Sequence, residues 1–295
     1  PGRVVVTAGS SAGFILAFLA LFDPGARVGL ADPGYPAYRN ILGTLGLGAV
    51  RLETGPQTRF QPAPSHLAAA APLGGLIVAS PSNPTGTMLD GAAMRTLVAA
   101  CQEAGTALIA DEIYHGLTYE GSAATALSAT DEVVVINSFS KYWAMTGWRI
   151  GWMVVPERFV RPIQNMAQNL FICAPHASQV AALGALSDDG EAEAAGHLAA
   201  YRENRAQMIG TLERLGFTEI APADGAFYAY ATLPDDAGDS TDFCHRLLVD
   251  YGVAATPGLD FDPVRGGRTV RFSYAQAPAR IAEGCARLER MVTAR

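Results

Sequence analysis

With 295 residues, 49% of them hydrophobic and 17% charged, the chain can bury the core of one large α/β unit together with a smaller one, and nothing in the composition suggests disorder. A net charge of −7 lacks the basic excess that a nucleic acid or an anionic membrane surface requires, so small-molecule partners are expected, with no nucleic acid and no membrane. The four cysteines, Cys101, Cys173, Cys244 and Cys285, form no CxxC pair, so neither a zinc site nor a disulfide framework is expected and a reducing cytoplasm fits best.

Short apolar runs alternate with helical patterns from the start. Val4–Thr7, Arg27–Ala31, Leu76–Ala79, Ala107–Ala110 and Val133–Asn137 read as strands buried on both faces of a parallel sheet. Ala12–Leu21, Pro36–Leu45 and Gly91–Ala104 read as the crossover helices between them. The class is α/β, a three-layer and mostly parallel sheet. After Val155 the pattern turns mainly helical, with Glu191–Leu215 the strongest helix. Strands at Ala226–Ala231 and Thr269–Ser273 and helices at Thr241–Asp250 and Pro278–Val292 then predict a smaller C-terminal α+β domain. The expected division is 1–194 and 195–295, hinged on the long helix.

In an open α/β sheet, ligands bind beyond the carboxyl ends of the strands, so the residues that follow each strand carry the information. After the first strand comes AGSSAG, Ala8 to Gly13, leading into a helix. Small residues and a helix N-terminus suit a phosphate, with Ser10 and Ser11 as hydroxyl donors; alone, the same serines read as an N-cap. SPSNPTG, Ser80 to Gly86, holds Asn83 in a turn stiffened by two prolines. DEIYHG delivers Asp111 to the crevice with Tyr114 close behind, and a carboxylate there is costly unless a cation or donors face it. Glu112 and His115 read as structural or solvated.

The fifth strand leads into NSFSKYWAMTGWRIGW, Asn137 to Trp152. Lys141 alone would be a surface charge. Desolvation or nearby positive charge would make it a nucleophile, and Arg149 supplies such a charge as well as a planar fork for phosphate. Phe139, Tyr142, Trp143, Met145 and Trp148 are expected to wall the pocket. A phosphate cradle, an aspartate, an asparagine, a tyrosine and a lysine together match the needs of pyridoxal 5′-phosphate. The sequence lacks a GxGxxG after a strand, a nucleotide P-loop and an HExxH, so no metal site is expected and the dinucleotide, nucleotide and zinc chemistries have no foothold.

DPGYPAY, SPSNPTG, DEIY, SFSKYWAMTGWRIGW and RFSY, in that order, resemble the class I/II aminotransferases of the fold-type I pyridoxal-phosphate enzymes, from Val4 to the last helix. The resemblance implies that Lys141 carries the internal aldimine, that Asp111 pairs with the pyridinium nitrogen, and that Tyr114 and Asn83 bond the ring oxygen. Tyr35 would stack on the ring. Ser10, Ser11, Ser138 and Arg149 would hold the phosphate, and Arg271 the substrate's α-carboxylate; from residue type alone Arg271 also reads as a solvated or cross-strand charge. Ser140 reads as satisfying backbone groups. The implied activity is ping-pong transfer of an amino group between an L-amino acid and a 2-oxo acid, in a cytoplasmic homodimer. Tyr35, Tyr38, Phe171 and Phe227 would permit an apolar or aromatic substrate. Family members carry a segment ahead of the first strand that Pro1 does not leave room for, which makes a fragment or a non-catalytic module an alternative, alongside a carbon–sulfur lyase of the same fold.

Overall fold

The structure, a computed structural model, describes residues 1–294; Arg295, the last residue of the expected second domain, lies outside the described residues. In chain order the elements are β1 (Val4–Thr7), α1 (Ser10–Leu21), β2 (Arg27–Asp32), α2 (Pro36–Thr44), β3 (Gly48–Glu53), α3 (Pro64–Ala70), β4 (Gly75–Ala79), α4 (Gly91–Glu103), β5 (Ala107–Asp111), β6 (Val134–Ser138) and β7 (Gly151–Val154). There follow α5 (Glu157–Leu170), α6 (His176–Ala185), α7 (Asp188–Arg214), β8 (Tyr228–Thr232), α8 (Ser240–Tyr251), β9 (Thr256–Pro257), β10 (Thr269–Ser273) and α9 (Pro278–Thr293).

The first seven strands form one sheet in the order β1-β7-β6-β5-β4-β2-β3, in which only β7 runs against its neighbours. The period-two alternation of a strand sorts its apolar side chains into two layers. Ile77, Ile109 and Ile136 join one core with Phe14, Leu16 and Phe18 of α1, while Leu76, Val78, Leu108, Ala110 and Val135 join the other with Leu97 and Val98 of α4. α4 shows why such a helix forms. Asp90 caps it by accepting from the Ala92 and Ala93 amides at 2.9 and 2.8 Å, and Met94, Leu97, Val98 and Cys101 repeat at helical spacing to make its buried stripe. Each fully buried Leu or Phe on these faces contributes about 2 kcal/mol from apolar burial.

β1 departs from expectation. It is an antiparallel edge strand on β7, with Val4 and Val6 exposed on its outer face, because only Val5 and Thr7 turn inward. β3, GAVRLE, carries no continuous apolar run, and β7, GWMV, follows directly on the Lys141 segment; neither is among the expected strands.

β8, β10 and β9 make a three-stranded antiparallel sheet, whose core of Phe217, Phe243, Leu247, Phe272 and Leu288 is separate from the two above. α7 runs unbroken from Asp188 to Arg214, so the division we propose, between 194 and 195, falls inside a helix shared by both parts. Among the described residues no helix is long and apolar enough to cross a membrane.

Candidate active site

The carboxyl ends of β4, β5 and β6 open on a cleft of about 340 Å³, lined among others by Ser10, Ser11, Tyr35, Asn83, Asp111, Tyr114, Lys141, Arg149 and Arg271. Nine of the ten expected site residues thus meet in one place. The tenth, Ser138, stands behind it: fully buried, its Oγ lies 2.8 Å from Ser140 Oγ and 3.0 Å from the Ile150 carbonyl oxygen. Ser140, read from sequence as a backbone partner, is the hydroxyl of that turn that reaches the cleft.

At one end the site is built for an anion. α1 begins after Gly9 with no side chain capping its first amides, and open N–H groups at a helix start attract negative charge. Gly9 has φ +81°, and a Cβ there would stand 2.4 Å from Arg149 Nη2, so only glycine lets the guanidinium lie across the helix start. Arg149 Nη1 donates to the Thr146 carbonyl at 2.9 Å, which fixes the fork's direction.

In the middle of the cleft, Asp111 ends β5 almost wholly buried. It accepts from the Ile113 amide at 3.1 Å and from the Tyr38 hydroxyl. Burial outweighs these bonds and the attraction of Lys141, and pushes the carboxyl up to about 6. Lys141 makes no salt bridge among the described residues. Its Nζ sits 5.8 Å from the ring centres of both Tyr114 and Phe227. Burial pushes its ammonium below the ordinary lysine value; Asp111 opposes that shift, and Arg271 and Arg149 add to it. It is also the chain's single lysine.

The far wall comes from the small sheet. The Arg271 guanidinium on β10 lies over the rings of Tyr228, 4.4 Å away, and Phe261, 4.6 Å away, and Nη1 donates to Asn83 Oδ1 at 2.8 Å. Its buried Nε has no partner. Asn83 reaches this point because the SPSNPTG loop approaches the small part closely. Gly86 has φ +69°, and a Cβ there would meet the Gly225 carbonyl at 2.7 Å.

Several sequence expectations need correcting. Phe139 and Trp143 do not wall the cleft; they pack with Met145, Ile150 and Trp152 on the far side of the Lys141 segment, and Trp148 is exposed. Phe171 packs against the sheet core, and Phe227 packs edge-on to Tyr114 and Tyr201. Glu112 and His115 are structural, as expected, with definite partners. Glu112 accepts from Thr125 Oγ1 at 3.0 Å and the Ala126 amide at 2.8 Å, with His115 Nδ1 3.4 Å away. Burial lifts the Glu112 carboxyl to about 7.

Sequence reasoning gave no role to Tyr228 and treated Tyr38 only as part of the substrate wall. Tyr38 was signalled by its spacing, one helical turn after Tyr35 on α2. Tyr228 carried no such signal, because it comes from the small sheet rather than from the end of a parallel strand.

The family model for aminotransferase class I and II matches residues 1–288. A valine–pyruvate aminotransferase of Mycobacterium tuberculosis is 49% identical over 291 residues, covering 98% of this chain and 75% of that one. Among solved structures, an aminotransferase from Mycobacterium tuberculosis superposes with a TM-score of 0.97 at 48% identity, covering 100% of this chain and 77% of that one. The aspartate aminotransferase of Thermus thermophilus with maleate superposes at 0.91 and 30% identity, covering 98% and 76%.

Proposed function

The chain belongs to the class I and II aminotransferases, and from that membership we propose that it binds pyridoxal 5′-phosphate in the cleft described above and moves an amino group between an L-amino acid and a 2-oxo acid. The observation that carries this reading is the meeting of its one lysine, a buried aspartate and a stacked arginine in a single cleft with an uncapped helix start. The residues fit the cofactor. Arg149 and the start of α1, with Ser10, Ser11, Ser140 and, behind it, Ser138, would hold the phosphate; Asp111 would face the ring nitrogen, Tyr114 and Asn83 the ring oxygen, and Tyr35 the ring face.

Pyridoxal phosphate, when bound, supplies a conjugated ring that delocalises the charge left when an amino acid's Cα loses its proton. The protein's part is to place and move that proton. Lys141 Nζ, its basicity lowered by burial, is the group that takes the Cα proton and returns one at the end of the transfer. Arg271 presents a planar fork to the α-carboxylate, packed against the rings of Tyr228 and Phe261. The small sheet carries that fork onto the large sheet's cleft and excludes water from it. Two half-reactions share one site, so ping-pong kinetics are expected.

The substrate side chain is apolar in this reading. Among the described residues lining the cleft the cations are Lys141, Arg149 and Arg271, and each already has a role, which leaves none for a side-chain carboxylate. Phe14, Ile41 and Ile113 offer apolar surface instead, and the relative named for valine and pyruvate supports the same class. The resemblance also implies a homodimer. Support comes from an exposed apolar strip of Val4, Val6, Val180, Leu183 and Leu186, which a second copy would cover.

The test is a half-reaction screen. The purified protein, loaded with pyridoxal phosphate, is mixed with one amino acid at a time and its absorbance followed. Conversion to the pyridoxamine form with valine or another apolar amino acid, reversed by pyruvate, is the expected result. Release of ammonia and pyruvate without that conversion would instead identify a lyase.

A further inference from the structure

Tyr228 begins β8, nearly buried, and its hydroxyl lies 2.9 Å from that of Tyr114. Two phenols at that distance share one hydrogen bond, and the charges around them decide which one donates. The Arg271 guanidinium lies over the Tyr228 ring at 4.4 Å, where a cation stabilises negative charge building on the phenol oxygen. Tyr114 has the buried Asp111 carboxyl as a charged neighbour on its side, which disfavours the same charge there. Tyr35 faces Tyr228 and opposes Arg271 only weakly, and Lys141 stands farther off, 5.8 Å from the Tyr114 ring centre. Desolvation pushes both buried phenols up, Tyr114 further, and Arg271 opposes it at both but ranks directly after burial only at Tyr228, over whose ring it lies.

We propose that Tyr228 is a positioning residue of the active site, whose hydroxyl donates to the Tyr114 oxygen and so leaves the Tyr114 proton pointing into the cleft, at the oxygen the site is built to bind. Because Tyr114 stands in the turn after β5 of the large sheet and Tyr228 begins β8 of the small one, the bond also ties the aim of Tyr114 to the position of the small sheet. Arg271, bonded to Asn83 across the same gap, makes the second tie. A chain of two hydroxyls polarised by a cation at its far end donates more strongly than one hydroxyl alone. The consequence rests on the reading of the cleft as a pyridoxal-phosphate site: a stronger donor at the ring oxygen favours its ionised form and lowers the pH at which the bound chromophore loses its proton.

Tyr228→Phe tests this, since it keeps the ring beneath Arg271 and removes only the hydroxyl. The holoenzyme is titrated by absorbance across pH 5–10, and pyridoxal-phosphate affinity is measured by tryptophan fluorescence. With one hydrogen bond worth about 1 kcal/mol net, the midpoint should rise by about 0.3 to 1 pH unit and affinity fall by about two- to ten-fold. In a Tyr114→Phe background the same substitution should shift neither, because the effect passes through Tyr114. An unmoved midpoint in Tyr228→Phe, or an equal shift with and without Tyr114, overturns the proposal. Failure of the parent protein to take up pyridoxal phosphate would overturn the underlying reading as well, and that outcome is seen before either variant is made.

Discussion

The Lys141 segment has two sides, and they differ in kind. On one side lies the cleft, about 340 Å³, with three cations and a buried carboxyl among its lining residues; on the other lies a larger groove, about 610 Å³, lined by Val4, Val6, Trp143, Trp152, Val180 and Leu183. Size and apolarity alone would select the second. Chemistry selects the first, because burial holds Asp111 above and Lys141 below their ordinary proton affinities, which is the mark of a working site. The larger groove holds no such group and has the character of a surface that another protein face covers.

That contrast can be broken by substitution. Lys141→Ala should slow amino transfer by about 10³-fold or more, the scale of losing a nucleophile and a proton carrier together, measured in single-turnover mixing with an apolar amino acid. A rate within ten-fold of the parent would remove the cleft's claim. Arg271→Ala should weaken amino-acid binding by about 10- to 100-fold while pyridoxal-phosphate affinity changes less than two-fold or so, since a lost charged hydrogen bond is worth about 1.5–3 kcal/mol. Equal losses of both would contradict its assignment to the substrate carboxylate.

A third test uses pH and the cofactor-free protein. Asp111 has a raised proton affinity when folded, so the native state holds its proton between the unfolded value of 3.8 and about 6, where the unfolded state has released it. Stability from this group is therefore full below pH 3.8 and is lost as pH rises through about 6, a change of about 3 kcal/mol. In urea unfolding at pH 4 and pH 7, Asp111→Asn should lose that much less than the parent. Parallel pH dependences would mean the carboxyl is not desolvated as described. The smallest effect on the site belongs to the apolar groove. Leu183→Glu should convert the dimer to monomer by light scattering while leaving pyridoxal-phosphate affinity within about two-fold, since the residue stands outside the cleft. A parent already monomeric at high concentration would end the homodimer proposal.

The large sheet and its site were legible because the rules that form them are local. Buried parallel strands show as apolar runs, and Asp111, Asn83 and Lys141 stand directly after such runs. β1 misled because VVVT reads the same on an edge as in a sheet centre, and only its neighbour β7 decides which it is. The aromatics around Lys141 misled for a related reason. In a turn, spacing does not say which side of the chain a ring takes, and Phe139 and Trp143 took the side away from the lysine. Arg271 came into view by resemblance to a motif, and Tyr228 not at all. Both act across the gap between two sheets, and that juxtaposition has no counterpart in the order of residues.

The central claim is that Lys141 is the residue the cofactor is held on, and the composition makes that claim easy to test, since no other lysine competes. The protein is incubated with pyridoxal phosphate, reduced with borohydride, digested and mapped by mass spectrometry. The expected result is a pyridoxyl adduct on the peptide containing Lys141. An unmodified Lys141 peptide, or an adduct confined to the Pro1 amine, would contradict it.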